Sequence, residues 1–440
     1  MKKLLMRFYL FITSKLSWRL PSWFLFWFEY IKTEIRSILI YKKLKNFLPD
    51  IKLLDNNKKN IICFSEHPYT NKILRNGINI KNDKLNLITF WKVFGIYADI
   101  TQWDRNSSFN MEWWWNYHCY EKLWEYYKKK NGDFFNKSLL GACDFSLPTQ
   151  VFWYLNKNII YLNHRFPYLW FFNVFKLSDW QKKINNLKQD NNILIAANNF
   201  DYEYHKYFLW ESKKIYYIPP LLDEIPDKYK WINDSFLIVP GKDKYFKQRE
   251  EIIDLCLREI WNKWIDNIFS ITRKYKNKRY EFKEIAWYKA LIVIPYTIYI
   301  WSIMDFLEMW MPMFFPSVKL LARWHKECNL LVEYDFISLH TEVFWKNIFN
   351  KKFLDKIEDY IWLGGSIPSP YSDDIEGLEY WISKSDWYAN WPIITFDSFE
   401  DLANKLKTTD MEKYSRTLLA FNKEQKTKSK KARKFLLDNI

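Results

Sequence analysis

Asp305 lies on an amphipathic stretch between an apolar run at 290–294 and a second run that opens at Pro312. A carboxylate there can accept hydrogen bonds from sugar-type hydroxyls, or it can be a solvated acid on a helix face. Eight residues upstream, Tyr296 and Thr297 follow Pro295 at the end of the first apolar run. The Thr297 hydroxyl is placed to cap a helix starting there. In an open α/β sheet ligands bind at the carboxyl ends of the strands, and a helix N-terminus at that edge favours phosphate. The same logic singles out charged residues beyond other apolar runs: Glu66 and His67 after 60–64, Asp144 after 138–142, and Arg165 after 158–162. Glu66, His67 and Asp144 have the chemistry to take a proton from a hydroxyl, although His67, just before Pro68, equally suits anchoring a loop. Arg165 reads as a ligand contact or as half of a structural ion pair.

These residues need elements to position them. From about residue 58, short apolar runs alternate with longer amphipathic stretches, which predicts an α/β fold with parallel sheets. Strands are expected at 60–64, 85–90, 138–142, 158–162, 193–196 and 214–218, with helix-length segments at 111–129 and 149–155. The segment 223–231, DEIPDKYKW, reads as a linker because Pro226 sits among charges with no apolar period. A second set follows: strand 235–240, a long helix 246–273, strand 290–294, helix 298–310, strand 313–315, helix 318–329 and a short strand 393–396. The expected organisation is a helical basic and aromatic extension at 1–56, lobes at 57–226 and 232–400, and a C-terminal helix at 401–440.

Composition narrows the chemistry. At 440 residues two domains are expected. Rings make up 20% of the chain, which suits an aromatic-rich core or an aromatic binding surface. Only 8 glycines occur, and their positions allow neither G-x-G-x-x-G nor G-x-x-x-x-G-K, so dinucleotide-binding and P-loop sites are disfavoured. The 5 cysteines show no C-x-x-C spacing and the 6 histidines no cluster, so no zinc site is readable and reduced thiols are expected.

The net charge of +16 suits anionic partners. Residues 1–50 carry ten basic against three acidic residues, and their longest uncharged stretch, 20–28, contains Pro21. That is too short to span a bilayer, for which ~20 apolar residues are needed, and no cleavable signal is expected. The segment reads as a packed helical extension or as a basic segment on an anionic membrane face. A cytoplasmic location, with or without peripheral membrane contact, is the expectation. The run 423–434, KEQKTKSKKARK, reads first as a solvated helix face. A nucleic-acid partner is not expected, since no nucleic-acid module precedes that run.

The most specific segment is 291–324, LIVIPYTIYIWSIMDFLEMWMPMFFPSVKLLARW. It resembles the donor half of GT-B glycosyltransferases, in which a strand, a helix bearing an acid and a small-x-Pro turn lead into the next strand. The resemblance places Asp305, seven residues before Pro312, on the ribose hydroxyls of a nucleotide sugar. Two departures stand out: the family's acid is usually Glu, and Trp310 stands where it usually has Gly. The second carboxylate of the retaining subset would fall on Thr297 and is absent. Segments 138–168, 191–225 and 381–396 resemble parts of an uncharacterised GT-B branch of algae and large viruses, and 236–242 resembles the first strand of a donor lobe. Together the likeness covers most of 138–396.

It implies two Rossmann-like lobes facing across a cleft. It also implies transfer of a sugar from a UDP- or GDP-linked donor to a glycan, lipid or protein acceptor, with no metal and no other cofactor. Lys242 and Lys244, otherwise surface lysines, would join Arg165, Tyr296, Thr297 and Asp305 as donor contacts. Glu66, His67 and Asp144 are the candidates for the catalytic base. The competing GT-A fold needs an Asp-x-Asp pair, and no two aspartates here are two apart. Two other readings fit the same residues: a non-enzymatic basic protein associated with membrane or nucleic acid, and another two-lobed transferase or epimerase acting on nucleotide sugars.

Overall fold

The computed structural model describes residues 59–65, 85–89, 129, 139–143, 159–163, 193–196, 198–209, 214–219, 225–239, 247–261, 265, 267–275, 280–298, 300–331, 367–368, 370 and 374–439. Two sheets carry the fold. The first contains β1 (Lys59–Ser65), β2 (Leu85–Thr89), β3 (Leu139–Cys143), β4 (Ile159–Asn163), β5 (Ile193–Ala196) and β6 (Ile215–Tyr217), in the order β2-β1-β3-β4-β5-β6. The second contains β7 (Phe236–Val239), β8 (Ile268–Ser270), β9 (Ala290–Val293), β10 (Met313–Pro316) and β11 (Ile394–Phe396), in the order β11-β10-β9-β7-β8. The pairs β1–β2, β4–β5, β5–β6, β7–β8, β7–β9, β9–β10 and β10–β11 are parallel, with Ile61 opposite Leu87, Leu194 opposite Ile215, and Leu237 opposite both Phe269 and Leu291.

The chain divides into two units. One comprises 1–66, 83–141 and 146–157, of which β1, β2 and the start of β3 are described strands. The other comprises 67–82, 142–145 and 158–440. Its described helices are α1 (Asn199–Leu209), α2 (Lys247–Trp261), α3 (Ile271–Tyr275), α4 (Phe282–Ile285), α5 (Trp301–Glu308), α6 (Val318–Cys328), α7 (Ile375–Ser383), α8 (Asp386–Ala389), α9 (Phe399–Thr408) and α10 (Met411–Asn439).

Strands β7, β9 and β10 are buried at every position, which is why each reads as an unbroken apolar run rather than an alternation. Leu237, Leu291, Val293, Met313 and Phe315 form one core with Phe306 of α5 and Trp387 of α8. Cys256 on α2 is buried as a free thiol. Among the described residues no helix is long and apolar enough to cross a membrane.

Three expectations are corrected. The long helix at 246–273 ends at Trp261, and β8 follows at 268–270 as the edge strand of the second sheet. Ile260, Trp264, Ile268 and Ile271 are spaced four, four and three apart, so the periodicity continues where the helix does not. The helix expected at 298–310 starts three residues later, at Trp301, with Ile300 as its N-cap, so Thr297 is not the cap. The end of the stretch read as a linker is bonded to the segments that follow α4 and α5. Tyr229 N donates to Met309 O, Lys230 N to Ala286 O and Ile232 N to Trp287 O, while Ile225 sits in the core. Its charged composition hid these bonds because they are made by the backbone.

Candidate active site

Strand β9 ends at Val293, and the chain continues through Ile294, whose N–H donates to Val239 O at 2.9 Å, into Pro295, Tyr296 and Thr297. Thr297 is fully buried in this turn. Tyr296 is half-buried and packs against the core. Helix α5 then opens on Ile300, an extended residue that supplies no side-chain cap. Its neighbours differ. Ser317 Oγ accepts from Leu320 N at 3.2 Å at the start of α6, and Ser398 Oγ accepts from Asp401 N at 3.1 Å at the start of α9. No side chain of the cap residue closes the first turn of α5, although the Ile303 N–H donates to the Ile300 carbonyl at 3.1 Å, and the turn carries no acid. That end is electrostatically receptive to an anion.

Asp305 projects from the fifth position of α5 and is half-buried. Beside it lies Tyr280, which precedes α4 and packs partly buried on the core. Burial pushes the Tyr280 hydroxyl up to about 12, with the charge of Asp305 and then Tyr296 adding to the shift. Asp305, Tyr296 and Tyr280 are thus electrostatic neighbours: a carboxylate beside two phenols. This is a surface suited to hydroxyls and to a planar ring. Tyr280 was not foreseen. It sits in the segment YEFKEI, far from Asp305 in sequence, and nothing there marked it.

The other end of α5 is built differently. Glu308, 2% exposed, accepts from Lys426 Nζ at 2.6 Å, Asn422 Nδ2 at 2.8 Å and Lys228 Nζ at 3.2 Å. Lys228 Nζ also bonds the Glu308 carbonyl at 3.0 Å and lies 5.1 Å from the Trp310 ring centre. Trp310 has φ 62, the left-handed region that glycine favours, and Ser415 Oγ donates to its carbonyl at 2.8 Å.

A small cleft at this end is lined by Glu308, Lys426, Tyr217, Asn390 and Asp386. Asp386 is buried and accepts from Asn199 N at 2.8 Å and from Tyr217 Oη at 3.1 Å. It therefore sits at the N-terminus of α1 as a carboxylate clamp from α8. Burial raises its carboxyl to about 6 against the pull of its hydrogen-bond donors. A perturbed buried acid in a cleft is a site candidate in general. Here its lone pairs face Asn199, Tyr217 and Asn390, and it ties elements together.

Of the nine residues singled out from the sequence, Tyr296, Thr297 and Asp305 fall on one turn-and-helix unit at the carboxyl end of β9. Glu66, His67, Asp144, Arg165, Lys242 and Lys244 lie outside the described residues, as do the extension at 1–56 and the helix at 149–155. Among the described residues no three His, Cys, Asp or Glu side chains are gathered as a metal site.

No protein-family model matches the chain, and no curated protein matches it in sequence. Among solved structures, the glycotransferase of kitacinnamycin superposes with a TM-score of 0.43 at 6% identity, covering 86% of this chain and 98% of that one. An overlap of that quality transfers nothing from one chain to the other. The class defined by the chain itself is a mixed α/β protein with two sheets of parallel strand pairs and a helix without a side-chain cap following the central strand of the second.

Proposed function

We propose that the chain is a glycosyltransferase that binds a nucleotide-sugar donor at the carboxyl edge of its second sheet. The observation that carries this is the β9–α5–β10 unit. It has the strand, acid-bearing helix and turn of the GT-B donor half, and the position where that pattern has Gly adopts φ 62 although it is Trp310. A tryptophan in the left-handed region holds a backbone that glycine adopts most readily, and this supports the reading. Asp305 accepts from the ribose hydroxyls, Tyr280 or Tyr296 faces the base, and the open end of α5 meets the diphosphate. The departure of the leaving diphosphate is then eased by the helix dipole and cationic side chains without a metal.

Lys242, Lys244 and Arg165 would supply those charges. Glu66, His67 or Asp144, on the acceptor lobe proposed at 57–226, would take the acceptor hydroxyl's proton. Thr297, being buried, shapes the turn beneath the helix. The domain reading goes with this: a donor lobe over 232–400 and a C-terminal helical segment from 401.

A thermal-shift panel tests the proposal. UDP or GDP at a hundred times its dissociation constant should stabilise the protein by about 2.7 kcal/mol, with EDTA present. A chain that responds to no nucleoside diphosphate, with or without added Mg²⁺, is not this enzyme.

A further inference from the structure

Helix α10 carries nine basic residues against three acidic ones, more positive charge than its share of a chain of net charge +16. Its bonds define one inward side. Ser415 reaches Trp310, Asn422 and Lys426 reach Glu308, and Ser429 Oγ donates to Pro219 O at 2.7 Å. On the opposite side Lys423, Thr427, Lys430, Lys431 and Lys434 are all exposed. Their spacing of four, three, one and three places them in a single stripe, about 16 Å long at 1.5 Å per residue. Glu424, the acid nearest the stripe, is paired with Lys428 at 2.6 Å. Where the stripe ends, Phe435 is 49% exposed, with Lys214 Nζ 5.5 Å from its ring centre and the Tyr216 ring 6.1 Å away.

We propose that this face of α10 docks on an anionic lipid surface, the stripe lysines meeting headgroup phosphates and Phe435 entering the interfacial layer. Charge complementarity identifies the occupant class. The body-facing bonds hold the helix so that its lysines point outward together, as a planar charged surface requires. The exposed ring distinguishes lipid from nucleic acid. Single-stranded sites place several stacking rings along a groove, whereas this is the outer face of a helix with one ring at its end. The stripe is remote in sequence from the donor unit, so the inference stands whether or not the chain transfers a sugar.

Co-sedimentation of the full chain with phosphatidylcholine vesicles, with and without one third phosphatidylserine, tests it. The protein should sediment with the anionic vesicles at low salt and be released at high salt. Replacing Lys423, Lys430, Lys431 and Lys434 together by Gln should lower partitioning by roughly several hundredfold, each lysine near an anionic leaflet being worth about fivefold. Phe435→Ala should lower it several-fold. The thermal midpoint of each variant is measured alongside and should stay within a few degrees of the parent. Equal binding by the quadruple variant and the parent overturns the proposal, because the charge then acts from elsewhere, such as residues 1–50. So does equal binding to neutral vesicles, or lysine-dependent binding of a single-stranded oligonucleotide without vesicle binding.

Discussion

The two ends of α5 are eight residues apart and serve opposite purposes. At its start Ile300 offers no side-chain cap and Tyr296 lies half-buried beyond the end of β9, with Tyr280 near both Tyr296 and the mid-helix Asp305. At its finish Glu308 is buried under two lysines and an asparagine, and the next turn holds Trp310 beneath Lys228 and Ser415. The first end has no side-chain cap and no acid in its first turn, while the carboxylate at the second is held by three side chains of the protein. A helix can hold a ligand in fixed geometry only if its far end is fixed, and the Glu308 cluster joins α5 to α10 and to the stretch around Lys228. Binding capacity and rigidity are thus divided along one short element.

The sharpest way to break this comparison is to leave the buried carboxylate without its cations. Replacing Lys228 and Lys426 together by Met strands Glu308 with Asn422 as its remaining described partner. Losing the partners of a buried charge costs about 3–5 kcal/mol. Urea melts should show that loss, while nucleotide affinity in the folded fraction stays within a few-fold. A double variant as stable as the parent would show that the locked end does not hold α5.

Much of this division was legible before the fold was known, and the reasons for the gaps are physical. Strands β7, β9 and β10 are fully buried and stood out as apolar runs, and the unit from Leu291 to Trp324 gave the candidate site. The edge strand β8 did not stand out, because three residues in phase with a preceding helix carry no signature of their own. Neither Tyr280 beside Asp305 nor Asp386 at the start of α1 could be read from sequence. Each partnership joins residues that only the tertiary fold brings together, and Asp386 and Asn199 are 187 residues apart. Thr297 misled for a related reason: its type suits a cap, but the helix starts beyond it.

The Asp386 clamp adds a pH test at the locked end. Its carboxyl is raised to about 6 by burial, against an ordinary value of 3.8. Between these values the folded protein holds a proton that the unfolded chain has released. Stability should therefore be greatest below about pH 4, as far as this group is concerned, and decline as pH rises to 6, by up to about 3 kcal/mol. Asp386→Asn should remove that component of the slope in denaturant melts run from pH 4 to 7. If the slope survives the substitution, another group sets it.

Asp305, in the middle of α5, should give the reverse pattern. Asp305→Ala should leave stability within about 0.5 kcal/mol, since a half-exposed helix acid contributes little to folding. Loss of a charged hydrogen-bonding partner should weaken nucleotide-sugar binding by about 1.5–3 kcal/mol, roughly ten- to hundredfold. Calorimetry of the folded variant reads this directly, and unchanged affinity would take Asp305 out of the site.

The smallest expected effect isolates the Trp310 turn. A residue with a Cβ at φ 62 loses roughly 1 kcal/mol relative to glycine, because the left-handed conformation brings Cβ against the following carbonyl. Trp310→Gly alone would not show this, since it also removes the ring that packs on the core and lies under Lys228. Comparing Trp310→Gly with Trp310→Ala removes that difficulty, because both lose the ring and differ only at Cβ. At an ordinary helical position alanine is the more stabilising of the two, by about 1 kcal/mol. At Trp310 the order should invert, with the glycine variant more stable by about 1 kcal/mol. Equal stabilities, or an alanine advantage, would mean that the turn relaxes to a right-handed conformation once the ring is gone. Trp310 would then impose the glycine-like backbone through the contacts of its side chain, and that backbone would not be intrinsic to the turn.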